Sequence, residues 1–220
     1  MGTALVTGAN RGIGLELCRQ LKGQGQTVLA ACRTSSPELD ALGVEVLDNV
    51  DVSSTESVQG LADRVGERSI DLLINNAGIL RRTTLDSLDE EGIRAQFEVN
   101  SIGPLRVTSA VRARLSSNAT VAMVTSRMGS VTDNTSGSHY GYRMSKAALN
   151  IASVSLAQDL APAGVKVVIL HPGYVKTGMT GNTGHVSAAE SAAGLLARID
   201  ETTLENSGRF VHMNGEPLPW

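Results

Sequence analysis

Thr3-Ala-Leu-Val-Thr-Gly-Ala-Asn-Arg-Gly-Ile-Gly14 opens the chain with a strand-length apolar run, a glycine turn and the start of a pattern with helical spacing. In a strand–turn–helix unit the three glycines have separate duties. Gly8 takes a tight turn, Gly12 lets backbone approach a pyrophosphate, and Gly14 lets the helix pack closely on the sheet. The helix N-terminus, with Asn10, Arg11 and Ile13 around it, then faces the anion. Three nearby glycines in a chain that has 23 can also be a merely structural turn. The strand before them and the helix after them weigh against that reading.

The same alternation continues along the chain. Short apolar runs near 3–7, 27–32, 44–50, 70–75, 119–125, 165–171 and 209–213 predict strands, and helical spacing predicts helices over 12–24, 54–66, 92–115, 142–162 and 187–199. Ser53-x-x-Glu56 has the form of a capping box for the second helix, and Gly164 is a C-terminal stop for the fourth. No linker or repeat interrupts the pattern, so residues 1–220 read as one α/β domain. It is expected to be a doubly wound, Rossmann-type, seven-stranded, mostly parallel sheet with helices on both faces. The small polar runs Gly178–Gly184 and Thr132–Gly137 follow strand ends, where open α/β sheets bind ligands; they are either walls of a site or plain surface loops. A short substrate loop is expected at about 177–187.

Composition narrows the function classes. The chain of 220 residues is 41% hydrophobic but only 3% aromatic, so aliphatic residues must fill the core. A net charge of -3 gives no general attraction to nucleic acid or anionic membranes. Small-molecule partners are expected, with neither nucleic acid nor membrane insertion. Cys18 and Cys32 are too few, and wrongly spaced, for a disulfide framework or a zinc site. Met1 leads almost directly into a strand, and no apolar run is long enough to span a bilayer, so a cytoplasmic protein is expected. No Gly-x-Ser-x-Gly elbow is present, His139, His171, His185 and His212 are scattered, and no metal motif occurs; no metal is expected.

Tyr142-Arg-Met-Ser-Lys146 carries the chemistry. Four residues apart on a helix, the phenol and the ammonium are neighbours. A phenol titrates near ~10 until a nearby cation favours its anion. A Tyr so tuned can protonate a carbonyl oxygen being reduced, or take the proton from an alcohol being oxidised. An exposed ion-bearing pair is the competing reading of Tyr-x-x-x-Lys taken alone.

Thr7-Gly8-x-x-x-Gly12-Ile13-Gly14, Asn75-Asn-Ala-Gly78, Ser126, Tyr142-x-x-x-Lys146 and Pro172-Gly173 come in an order and separation that, over nearly the whole chain, resembles the short-chain dehydrogenase/reductase family. The texture from Ser126 to Lys146 is similar to the C-factor and sniffer-type carbonyl reductase-like subgroup. The resemblance implies that Tyr142 is the acid/base, that Lys146 lowers its pKa and holds the nicotinamide ribose, and that Ser126 steadies the substrate oxygen. It implies that Asn100 holds a water leading from Lys146 to solvent. Asn76, Ala77 and Gly78 are then expected beneath the cofactor, Pro172, Gly173, Val175 and Thr177 beside the nicotinamide, and Asp51 with Val52 at the adenine. Without the resemblance, Asp51 reads as a helix cap and Ser126 as a turn former.

The end of the second strand bears on the choice of nucleotide. An acidic residue there would bind the ribose diol of NAD and repel a 2′-phosphate. This chain has Arg33 there, and Arg11 in the glycine turn is a second guanidinium for such a phosphate, so NADP(H) is expected over NAD(H). Met128, Met144, Met179 and Tyr140 are expected at the substrate wall, or alternatively in packing. Arg81-Arg82 is either a solvated loop pair or a contact for an anionic substrate group. Gly178 stands where relatives often carry an acidic residue, and the short segment after Thr177 implies a small lid. The family resemblance implies a homodimer or homotetramer through helices 92–115 and 142–162. The expected function is NADP(H)-dependent interconversion of a carbonyl and an alcohol; a non-catalytic NADPH-binding regulatory or signalling protein is the rival.

Overall fold

The computed structural model describes residues 2–220. Seven strands, β1 (Thr3–Thr7), β2 (Thr27–Ala31), β3 (Glu45–Leu47), β4 (Ile70–Asn75), β5 (Leu115–Val124), β6 (Lys166–His171) and β7 (Phe210–His212), form one sheet in the order β3-β2-β1-β4-β5-β6-β7. Every adjacent pair is parallel. The sheet is therefore the doubly wound one expected, and wholly parallel rather than mostly so. Strand order reverses between β1 and β4, which opens a crevice at their C-terminal ends.

Alternating strand residues feed two separate cores. Leu5, Leu29, Leu73 and Val121 face α3 (Thr55–Val65), α5 (Gly103–Val111) and α6 (Tyr140–Leu160). Ala4, Val6, Ile74 and Val168 face α1 (Gly12–Gly23) and α7 (Ala188–Asp200) on the other side. With both faces covered, the strands can be apolar throughout, which explains why their runs lack a polar alternation.

Several boundaries differ from the expectations. The helix expected over 92–115 is α4 (Glu90–Phe97), a π-helical turn (Glu98–Ile102), α5 and a 3-10 turn (Arg112–Arg114). Pro104 supplies a cause: it has no N–H for the carbonyl of Asn100, four residues earlier, so the α-helical ladder cannot run through this point. β5 begins at Leu115, within the predicted helix, because Leu115 pairs with Ile70 although the residues after it are polar. β3 spans 45–47 rather than 44–50, and a short helix, α2 (Pro37–Asp40), had no periodic signal. The cap of α3 is Ser54, whose side chain accepts from Ser57 N, not Ser53. Ser53 instead donates its N–H and hydroxyl to Asp51, at 2.9 and 2.6 Å. α6 starts at Tyr140, two residues before its predicted start, and Gly164 is left-handed at the end of the turn that follows it.

Candidate active site

Two turns meet in the crevice. Gly8 and Gly12 have φ of 68° and 55°, where other residues are strained. A Cβ on Gly14 would stand 2.1 Å from the Gly8 carbonyl oxygen, and one on Gly8 2.9 Å from Ala77 Cα. Gly8 thus takes the tight turn, and Gly14 permits the close packing, expected of them. Asn76 braces the two turns: its Nδ2 donates to the carbonyls of Thr7 and Gly8 at 3.0 and 3.2 Å. Thr7 Oγ1 accepts from the N–H groups of Asn76 and Ala77, each at 3.1 Å.

The start of α1 fits a dinucleotide phosphate. Arg11 precedes the helix, no side chain caps it and no acidic residue lies in its first turn. Anions are favoured at such an end. Asn10 ties the turn to the loop after β2, its Nδ2 donating to Thr34 O at 2.9 Å and its carbonyl accepting from Ser36 Oγ at 2.8 Å. That loop carries Arg33, exposed like Arg11. Neither guanidinium has a carboxylate partner among the described residues. Asp51 is held below the usual carboxylate range, first by its Ser53 hydrogen bonds and then by the charges of Arg33 and Arg106. The backbone carbonyl of the buried Val52 accepts from Arg106 Nη1 at 2.7 Å.

The other end of the crevice is built on α6. Tyr142, Ser145, Lys146, Leu149, Asn150 and Ser153 form its buried face. Gly129 lets the turn after Ser126 press against this helix; a Cβ there would meet the Lys146 carbonyl carbon at 2.7 Å. Ser126 caps that turn, its Oγ accepting from Met128 N at 3.1 Å. Thus Ser126 is a turn former as well as a hydroxyl facing Tyr142. The Lys146 ammonium donates to Val124 O at 2.9 Å and lies 5.9 Å from the centroid of the Tyr142 ring.

The electrostatics depart from expectation. Burial pushes the Tyr142 phenol up to about 12, opposed by the hydrogen bond with Ser126. Burial pushes Lys146 down to about 8. Desolvation governs both groups, with the ammonium held at the Tyr142 ring and the Val124 carbonyl. At neutral pH the site holds a protonated phenol beside a protonated amine.

Asn100 lies in the π-helical turn and is fully buried. Its Oδ1 accepts from Ile79 N at 2.8 Å, and its Nδ2 donates to Ile79 O at 2.9 Å and Ser145 Oγ at 3.0 Å. Gly78 lies between it and the lysine, since a Cβ there would be 3.3 Å from Asn100 Oδ1 and 3.8 Å from Lys146 Nζ. The structure therefore brings Gly78, Asn100, Ser126, Tyr142 and Lys146 to one place.

After β6, the segment carrying Pro172 and Gly173 leads to a bridge between Val175 and Val186. Thr177 and Thr180 cap a short turn reciprocally, and a Cβ on Gly12 would meet Thr177 Cγ2 at 3.3 Å. Thr177 is thus held against Gly12 of the glycine turn, and Val175 is buried beside it in the chain. The loop is small, as expected, but tied internally, with Tyr174 and Thr183 joined through their hydroxyls. Met179 is exposed and Met128 partly buried. Met144 and Tyr140, each two positions from Tyr142, are turned about 200° from it around the helix. Met144 is an exposed residue of that outer side and leaves the substrate wall; Tyr140 is half-buried at the start of α6.

Sequence reasoning missed Ser145, which joins Asn100 to α6 and also accepts, through its carbonyl, from Ser101 Oγ at 2.7 Å. It missed Asn150, whose Oδ1 accepts from Thr125 Oγ1 at 2.7 Å. Polar residues recurring on one otherwise apolar helical stripe were the available signal.

A family model described as short chain dehydrogenase matches residues 2–187. The chain is 44% identical, over 226 residues covering 100% of both chains, to a 1-hydroxy-2-glutathionyl-2-methyl-3-butene dehydrogenase of Rhodococcus sp.. It is 45% identical over 166 residues to C-signal of Myxococcus xanthus, covering 74% of this chain and 100% of that protein. An NADPH-bound carbonyl reductase from chicken fatty liver superposes with a TM-score of 0.91 at 30% identity, covering 100% of this chain and 99% of that one.

Proposed function

Because this chain belongs to the short-chain dehydrogenase family of oxidoreductases, we propose that it interconverts an aldehyde or ketone and the corresponding alcohol with NADP(H), using Tyr142 as the acid/base. The observation that carries this reading is the burial of Tyr142 and Lys146 on one face of α6, beside Ser126 and next to Gly78 of the crevice. The cofactor, when bound, supplies or accepts the hydride.

The protein's own residues manage position and the proton. Tyr142, protonated at neutral pH, donates to the carbonyl oxygen in reduction and accepts from the hydroxyl in oxidation. Ser126 suits both directions, because a hydroxyl can donate to a carbonyl and accept from an alcohol. Lys146 carries its charge below about pH 8 and so favours the tyrosinate left by proton donation. The carbonyl of Asn100, which Pro104 leaves without an α-helical donor, is the group to hold a water that resupplies that proton. Arg11 and Arg33 favour a 2′-phosphate, so NADP(H) is preferred over NAD(H). The NADPH-bound relative supports the same choice.

A signalling reading is favoured by one observation, the likeness to C-signal. Both readings are tested by following oxidation of NADPH and of NADH with aldehydes, ketones and quinones. The proposal expects turnover of some of these, faster with NADPH. Tight NADPH binding with no turnover of any of them favours the signalling role, and equal use of NADH removes the argument from the two arginines.

A further inference from the structure

Arginines in this protein mostly face carboxylates. Among the described residues, those without a carboxylate partner are Arg11 and Arg33 at the nucleotide turn, Arg112, Arg81 and Arg82 in the segment after Gly78, and Arg143 at the start of α6. In a chain of net charge -3, unpaired guanidiniums need a reason.

A seam joins the segment after Gly78 to the start of α6. Thr83, buried, accepts through its carbonyl from His139 N at 2.8 Å and through Oγ1 from Gly141 N at 3.2 Å. These bonds set Arg82 beside His139 at the first turn of the helix that carries Tyr142. Arg143, next in sequence to Tyr142, donates to the Gly137 and Ser138 carbonyls at 3.1 and 3.2 Å and to Ser136 Oγ at 2.8 Å, while Nη1 reaches Met128 O at 3.5 Å. Every one of these acceptors is neutral. The guanidinium is fixed in place with its charge uncompensated, between the turn after Ser126 and the start of α6. The charges that bear on His139 are Arg82 and Arg143, with no carboxylate among them, and together with burial they disfavour its protonation. The first turn of α6 has no acidic residue and its N-cap offers no side-chain bond.

We propose that Arg82 and Arg143, at the His139 end of α6, bind a carboxylate on the substrate, so that the carbonyl compounds this protein prefers are anionic. The proposal rests on the carbonyl-reductase reading for the reacting group and on the unpaired cations for the remote one. Guanidinium donors suit a carboxylate better than ammonium groups would, and after its bonds to Met128 O and Ser136 Oγ Arg143 keeps one further N–H on each of Nη1 and Nη2. Arg81 is left out, since its stem lies against Gly92 at the start of α4.

The test compares 4-carboxybenzaldehyde with its methyl ester, which differ in the charge. Calorimetric binding to the protein–NADP+ complex, which cannot reduce either compound, reads the site independently of turnover. The acid is expected to bind about tenfold tighter than the ester. Raising the ionic strength should shrink the difference, and R82Q should bring the ratio close to one. Equal or undetectable binding of both, or a ratio unchanged in R82Q, overturns the proposal. If the complex discriminates as expected but NADPH reduces neither compound, the anion site stands and the carbonyl-reductase reading falls.

Discussion

Lys146 shows best how one side chain trades stability for chemistry. Its ammonium is buried with a single carbonyl partner, and its pKa falls from 10.5 to about 8. Between pH 8 and 10.5 the unfolded chain therefore binds more protons than the folded one, and stability rises with pH in that window. Tyr142 and Cys18, both pushed up to about 12 by burial, act in the opposite sense at higher pH. Comparing the protein with K146M cancels those terms. From pH 7 to pH 9 the parent should gain roughly 1 kcal/mol on the variant, measured as denaturant midpoints at each pH; a difference that stays flat contradicts the buried charge. Residue types were legible in the sequence, since Tyr, Lys and Ser at those positions advertise proton transfer. The pKa directions were not, because they depend on burial, which spacing on one helix does not supply.

The elements that shape the site were read unevenly for physical reasons. Strongly periodic segments such as α1 and α7 stand close to their expected bounds, and the glycine turn has the backbone its spacing required. The long helix expected over 92–115 is interrupted because Pro104 breaks the α-helical ladder despite the apolar pattern around it. The resulting π-helical turn is what carries Asn100. Ser53-x-x-Glu56 has the form of a capping box, but Ser53 is tied to Asp51, which only the folded loop reveals, and Ser54 caps the helix instead. Contact between the Ser126 turn and α6 depends on Gly129, where a Cβ would overlap backbone of Lys146. G129A should therefore destabilise the protein by about 2 kcal/mol or more, read by denaturant unfolding. Parent-like stability would show that the turn can move away freely.

For the molecule as a whole, the alternation of strands and helices was enough to predict a doubly wound sheet, and the crevice between β1 and β4 follows from its strand order. Among the described residues no helix is long and apolar enough to cross a membrane. Assembly is a separate matter: α6 and the π-helical turn leave Met144, Ile151 and Ile102 exposed, with Ile151 at 66%. We propose that these residues serve the homodimer or homotetramer expected through these helices. Light scattering on a sizing column should then find an oligomer for the parent and a monomer for I151E; a monomeric parent contradicts this. The reaction itself stands on one side chain more than on any other. Single-turnover oxidation of bound NADPH by an accepted aldehyde, in the parent and in Y142F, isolates it: the phenol's loss should slow the step about a thousandfold while NADPH affinity stays the same. Parent-like turnover by Y142F would contradict the assignment of Tyr142 as the proton donor.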